Sequence, residues 1–206
     1  MPGRFEAVAF DLLTALVDSW SLFARVAGGE APGRSWRLAS LRRVTGQGNY
    51  RPYEKILAEA AADAGLPPGK AAELHARWGE LRPWPEVPGV LARLPGLRLA
   101  IVTNCSQGLA EIAASVTGGR FELVMSAERA GVYKTDRRAY QAALDALRLP
   151  AARVLFVAGS AHDVPGASAA GMRVYWSNRQ RLPLPEGAPP LADEPDLLRL
   201  PETAGR

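Results

Sequence analysis

Phe5-Glu6-Ala7-Val8-Ala9-Phe10-Asp11 is the stretch from which the fold can be read. Four apolar residues, Ala7 to Phe10, end on a carboxylate. A run this short, part aromatic and part β-branched, reads as a strand buried on both faces. Later runs repeat the pattern. Leu97 to Val102 ends at Thr103-Asn104, and Phe121 to Met125 ends at Ser126. Arg153 to Val157 ends at Ala158-Gly159-Ser160, and Arg173 to Trp176 ends at Ser177-Asn178-Arg179. Helical stretches lie between them: Gly108 to Val116, Asp136 to Leu147, and Val164 to Ala170 with Gly171 as its stop. This alternation predicts an α/β fold, a Rossmann-like parallel sheet with helices on both faces. Ligands of such sheets bind beyond the carboxyl ends of the strands. Asp11, Thr103, Asn104, Ser160 and Asp163 gather at those ends.

Residues 17–92 read differently. Helices are expected over Ser19 to Val26, Ser35 to Val44, Pro52 to Ala64 and Gly69 to Trp78. Pro and Gly mark their joints, as in Ala31-Pro32-Gly33 and Gly65-Leu66-Pro67-Pro68-Gly69. The expected organisation is an α/β core of residues 1–16 and 93–206, interrupted by a helical insertion over 17–92. The proline-rich tail after Leu182 predicts at most one short strand, near Asp196 to Leu200.

Composition excludes several classes. Apolar residues make up 48% of the 206, enough to fill a core and too many for a disordered chain. Cys105 is the single cysteine, so no disulfide scaffold exists. No apolar run reaches the roughly 18 residues of a membrane span, and residues 1–10 lack a signal-peptide profile. A cytoplasmic protein with no membrane partner is expected. The net charge is +4, but the basic residues are interleaved with acids, so no nucleic-acid partner is expected. A mild positive field suits a small anion.

Four places carry chemistry. Asp11 closes the first strand; the same residue suits an N-cap for the segment that follows. Lys134 is the only lysine outside the insertion in a chain that otherwise writes arginine. An ammonium is a compact point charge that can brace a carboxylate, and a plain surface lysine is the competing reading. Asp163 follows Val157-Ala158-Gly159-Ser160-Ala161-His162 and again suits either a site or a cap. Thr103-Asn104-Cys105-Ser106 is a polar turn with hydroxyl and N–H donors for an anion. Cys105 has no histidine beside it and is assigned no catalysis.

Taken in order, these features resemble the haloacid dehalogenase superfamily, and the resemblance covers nearly the whole chain. Within it the chain looks most like the (S)-2-haloacid dehalogenase branch. The strings that carry this are Ala9-Phe10-Asp11-Leu12, Trp36-Arg37, Ala100-Ile101-Val102-Thr103-Asn104, Val132-Tyr133-Lys134 before Asp136, Arg138-Ala139-Tyr140, and Trp176-Ser177-Asn178-Arg179. The resemblance implies a core with a helical cap. Phosphatases of the superfamily carry a second aspartate where Leu13 stands and a metal-binding aspartate where Gly159 stands. Mg²⁺ wants several oxygen ligands, so no metal and no cofactor are expected.

The activity this resemblance implies is hydrolysis of a small anionic 2-haloacid by covalent catalysis. Asp11 would displace halide from Cα, and water would then cleave the Asp11 ester to a 2-hydroxy acid. Lys134 would keep Asp11 ionised and oriented. Asp163 would hold Lys134 or position the water. Arg37 matches the cap arginine that meets halide or the substrate carboxylate; a helix-surface arginine is the alternative. Thr103 and Asn104 would bind the substrate, and Tyr140 would hydrogen-bond near the nucleophile. Tyr53 would supply an aromatic wall, with Leu13 and Ser160 completing the substrate-binding set.

The chain also departs from the branch, which expects tyrosine at position 13, threonine at 15, serine at 158, asparagine at 160 and tryptophan at 162. Here these are Leu13, Ala15, Ala158, Ser160 and His162. Losing the hydroxyl at 15 and the polar groups at 158 and 160 touches the water-attack step, where one missing donor costs about a hundredfold or more. Alkylation is therefore better supported than hydrolysis. His162 is a candidate base near neutral pH or an exposed loop histidine. Two alternatives stay open: a related hydrolase of another small substrate, weak phosphatase activity included, and an impaired relative that binds an anion or a partner. Related dehalogenases commonly dimerise, which leaves a homodimer open.

Overall fold

The computed structural model describes residues 5–187 and 189–205. Six strands form one wholly parallel sheet: β1 (Ala7–Phe10), β2 (Arg98–Thr103), β3 (Leu123–Ser126), β4 (Val154–Ala158), β5 (Arg173–Ser177) and β6 (Ala192–Glu194). Their order is β3-β2-β1-β4-β5-β6. β1 lies inside the sheet because it has no side chain that needs water. Val8 and Phe10 face one apolar cluster, and Ala7 and Ala9 face another. Phe10 registers with Ile101 of β2 and Val157 of β4. The strand order reverses direction at β1, so a crevice opens past Phe10 between the ends of β2 and β4. Asp11 is the first residue in that crevice.

The chain between β1 and β2 is helical. It runs through one wide turn (Leu12–Leu16), then α1 (Ser19–Ala27), α2 (Glu30–Val44), α3 (Tyr53–Asp63), α4 (Lys70–Ala76) and α5 (Val87–Ala92). α2 starts five residues before the expected Ser35, so Ala31-Pro32-Gly33 lies inside a helix and is not a joint. Proline is harmless there, because the first turn has no partner for its missing N–H. Gly33 is needed for a close crossing: a Cβ on it would lie 2.3 Å from the Cα of Ala24 on α1. The helices are tied to the sheet by buried donors. Trp78 Nε1 donates to Leu109 O at 2.9 Å, Tyr133 Oη to Arg51 O at 2.8 Å, and Ser106 Oγ to Glu54 Oε1 at 2.6 Å.

The other helices are α6 (Gln107–Ser115), α7 (Ala127–Ala130), α8 (Arg137–Leu147), α9 (Asp163–Ala169) and α10 (Leu200–Ala204). The tail corrects one expectation. Its strand is Ala192–Glu194, and the segment expected near Asp196 to Leu200 instead leads into α10. Leu197 and Leu200 are drawn into the core, and Pro201 sits in the first turn of the helix. Among the described residues no helix is long and apolar enough to cross a membrane.

Candidate active site

Asp11 caps the turn Leu12–Leu16, so the cap and site readings of this residue coincide. Its Oδ2 accepts three hydrogen bonds: from Thr14 N at 3.0 Å, Thr14 Oγ1 at 2.6 Å and Ala15 N at 3.2 Å. Its Oδ1 accepts from Lys134 Nζ at 2.9 Å. Burial opposes the charge on Asp11. The Lys134 ammonium and the donors of Thr14 and Lys134 outweigh it and hold the carboxyl below its ordinary 3.8.

Lys134 lies between two acids. Its Nζ also donates to Asp163 Oδ2 at 2.9 Å, and it stands 5.3 Å from the Phe156 ring centre. Burial works against the ammonium, but the two carboxylates more than compensate and raise its pKa. The backbone of Lys134 is clamped by the Asn104 amide. Lys134 N donates to Asn104 Oδ1 at 2.7 Å, and Asn104 Nδ2 donates to Lys134 O at 2.8 Å. Asp163 opens α9, and its Oδ1 accepts from Tyr140 Oη at 2.7 Å. Burial and the nearby Asp11 raise the Asp163 pKa against the pull of Lys134. One ammonium thus serves two carboxylates whose surroundings push them in opposite directions.

A cavity of about 30 Å³ opens beside this cluster. Asp11, Leu13, Arg37, Tyr53, Thr103, Asn104, Lys134, Ser160 and Asp163, all singled out in the sequence, line it. Tyr140 does not; its hydroxyl bonds Asp163, which shares the Lys134 ammonium with Asp11. Its position on α8 brings it to the far side of Asp163. Arg37 is buried on α2, where its Nε donates to Ser19 Oγ at 3.2 Å and its Nη1 to Ser40 Oγ at 3.3 Å. Its guanidinium stands 5.4 Å from the Phe23 ring centre and 5.7 Å from that of Trp20. No carboxylate pairs with it among the described residues. A buried cation left without an anion is costly and favours binding one. Tyr53 is a wall, its phenol pushed up to about 12 by burial. Burial also pushes the Cys105 thiol up to about 12, in accord with its having no assigned catalysis.

Thr14 was missed from sequence. A hydroxyl three residues after a capping acid was the available signal. It supplies a side-chain donor to Asp11 although position 15 is alanine. Gly159 makes the room, for a Cβ there would lie 2.5 Å from Thr14 Oγ1 and 2.3 Å from Ala15 N. Ser19 and Ser40, which steady Arg37, were missed as well.

The residues present do not fit a divalent cation. Gly159 offers no side chain, and the Lys134 ammonium already occupies the space between the two carboxylates. The cluster provides a held, ionised carboxylate, a fixed cation and a second carboxylate on the far side of that cation.

The fold and site define a parallel α/β protein with a carboxylate–ammonium–carboxylate cluster at the switch point of its sheet. The sequence matches the haloacid dehalogenase-like hydrolases over residues 6–171, and the chain belongs to that family. It is 32% identical to the haloacetate dehalogenase H-2 of Moraxella sp. (strain B), over 85% of this chain and 87% of the relative. It is also 32% identical to the (S)-2-haloacid dehalogenase H-109 of Pseudomonas putida, over 93% and 94% of the two chains. A crystal structure of an L-2-haloacid dehalogenase superposes with a TM-score of 0.88 at 30% identity, covering 99% of this chain and 100% of the other.

Proposed function

We propose that the protein is a metal-independent hydrolytic dehalogenase of small 2-haloacids that works through an ester on Asp11. The observation that carries this reading is the unequal treatment of the two Asp11 oxygens. Oδ2 accepts three hydrogen bonds and Oδ1 one. Oδ1 therefore keeps a free lone pair and is the attacking atom. It forms the bond to Cα as the carbon–halogen bond breaks, and the halide leaves with that electron pair. Halide is a good leaving group, so no general acid is needed, and none stands where Leu13 lies.

The ester that results keeps Oδ2 as its carbonyl oxygen. Water attacks Cγ of Asp11 and the carbonyl electrons move onto Oδ2. The donors of Thr14 and Ala15 then face a full negative charge, which is the arrangement that stabilises such an intermediate. Asp163, the carboxylate on the other side of Lys134, takes the proton of the attacking water. The Cγ–Oδ1 bond breaks, the departing alkoxide takes the proton held by Asp163 and leaves as the 2-hydroxy acid, and Asp11 gives the remaining water proton to solvent and is regenerated as a carboxylate. Arg37 holds the substrate carboxylate and meets the halide from α2. Residues 17–92 act as a cap over a core of 1–16 and 93–206. The cavity is about the size of one water's share of the liquid, so its lining side chains must give way for a haloacid to enter.

The test is halide release from chloroacetate and (S)-2-chloropropionate with EDTA present, read together with intact mass. Sustained release that vanishes in Asp11→Asn is the expected result. A single equivalent with a stable adduct would keep alkylation and overturn the hydrolysis step. No halide and no adduct would overturn the reading.

A further inference from the structure

A second cavity, of about 510 Å³, lies against the first. Thr14, Leu41, Ser160 and His162 line both. Its walls are mainly apolar. Trp20 of α1 and Trp84 come from the helical insertion, and Leu38 and Leu41 from α2. Leu182, exposed at the rim, is part of the same surface.

The charges sort the two cavities. Arg179 is the one permanently charged side chain in the second, and it is already satisfied. Its guanidinium stacks 4.5 Å from the Trp84 ring centre and pairs with Glu86 at 2.5 Å. The first cavity holds Arg37, whose buried charge has no acidic partner among the described residues. An anionic head is therefore attracted to the first cavity and an apolar tail to the second. Trp20 joins the two, since it lines the second cavity while its ring lies 5.7 Å from the Arg37 guanidinium.

We infer that the substrate class of this enzyme is 2-haloacids with an aryl or arylalkyl substituent on Cα, the ring lodging between Trp20 and Trp84. This rests on the dehalogenase reading given above. An apolar cavity of about 150 Å³ is enough for benzene, and this one is more than three times larger. Flat, rigid walls of tryptophan pack a planar ring with little loss of freedom. The chemistry is unchanged: Oδ1 of Asp11 bonds Cα, halide leaves, and the product is an aryl-substituted 2-hydroxy acid.

The experiment compares kcat/KM for (S)-2-bromopropionate and (S)-2-bromo-3-phenylpropionate by halide release. The expected result is at least a tenfold preference for the phenyl compound. Leu38→Trp and Leu182→Trp, which fill the second cavity only, should each erase that preference and leave 2-bromopropionate turnover unchanged; Leu182 is exposed and its replacement leaves the fold intact. Binding is read independently of chemistry by tryptophan fluorescence, with halogen-free 3-phenylpropionate binding at least tenfold tighter than propionate. Turnover of bromopropionate without the phenyl preference overturns the inference and leaves the dehalogenase intact. Tight phenylpropionate binding with no halide from either substrate overturns the dehalogenase and keeps the aryl site. Equal binding of the two acids overturns the aryl site whatever the turnover.

Discussion

Replacing Thr14 by valine removes one hydroxyl and keeps the branched shape of the side chain. The hydroxyl lies 2.6 Å from Asp11 Oδ2, a buried and charge-assisted contact. Such bonds contribute about 1.5–3 kcal/mol. At 1.36 kcal/mol per decade this is about a 10- to 150-fold effect on whichever step builds charge on Oδ2. Only water attack does so. In alkylation the charge leaves the carboxylate, so losing a donor does not slow that step. The backbone donors of Thr14 and Ala15 remain, and Trp84 Nε1 still donates to Thr14 O, so the turn keeps its form. Rapid-quench halide release with 2-bromopropionate should show a burst of one equivalent at the wild-type rate. A steady phase slowed by the stated factor should follow, with the ester visible by intact mass. An unslowed steady phase, or equal slowing of burst and steady phase, would refute the assignment of Oδ2 as the ester carbonyl.

Lys134→Met would leave two buried carboxylates without their cation, a loss of about 3–5 kcal/mol, read as a lower midpoint in urea unfolding at neutral pH together with loss of halide release. Acid should separate the two half-reactions. Asp163, raised above 3.8, protonates first as pH falls, and Asp11, held below 3.8, protonates last. Hydrolysis then fails at a higher pH than alkylation, and the mass-detected ester should build up in the interval between the two. The stability that Asp11 contributes, present above its unfolded value, is lost only as pH falls through its depressed folded value. Gly159→Ser should destabilise by about 1–3 kcal/mol, because even a Cβ overpacks the Thr14–Ala15 backbone; a calorimetric Tm equal to wild type would contradict the close approach.

The sheet was legible because its signals are local. Ala7–Phe10 carries its own burial pattern, and each later strand ends on a polar turn, so strand identity and the carboxyl-end crevice follow together. Lys134 was legible through rarity, as one of three lysines beside 22 arginines. Arg37 had no such signal and stood out only through resemblance to a family. Its lack of an acidic partner among the described residues depends on where α1 and α2 cross, and Gly33 sets that crossing through a close approach to Ala24. Thr14 escaped because its hydroxyl reaches Asp11 only across the wide turn Leu12–Leu16. Tyr140 was correctly placed in a helix, but which carboxylate it meets depends on how α8 packs against α9. The tail strand was misplaced because Leu197 and Leu200 read as strand residues until the core claims them.

The charges of the site explain why two parts of the chain must cooperate. Asp11 and Asp163 share Lys134, and Arg37 stands apart as a second buried cation. A haloacid brings one more negative charge. Alkylation does not remove the charge of Asp11; it transfers that charge to the departing halide. Lys134 cannot follow it, being fixed by Asp163 and by the Asn104 clamp on its backbone. In the proposed mechanism the cation that meets it is Arg37 on α2, held by Ser19 and Ser40. Negative charge thus moves from the sheet to the helical insertion during the first half-reaction and returns to the sheet on Oδ2 during the second. Each half-reaction has its own fixed donors, and changes in α1 and α2 should therefore act on alkylation while changes around Thr14 and Gly159 act on hydrolysis.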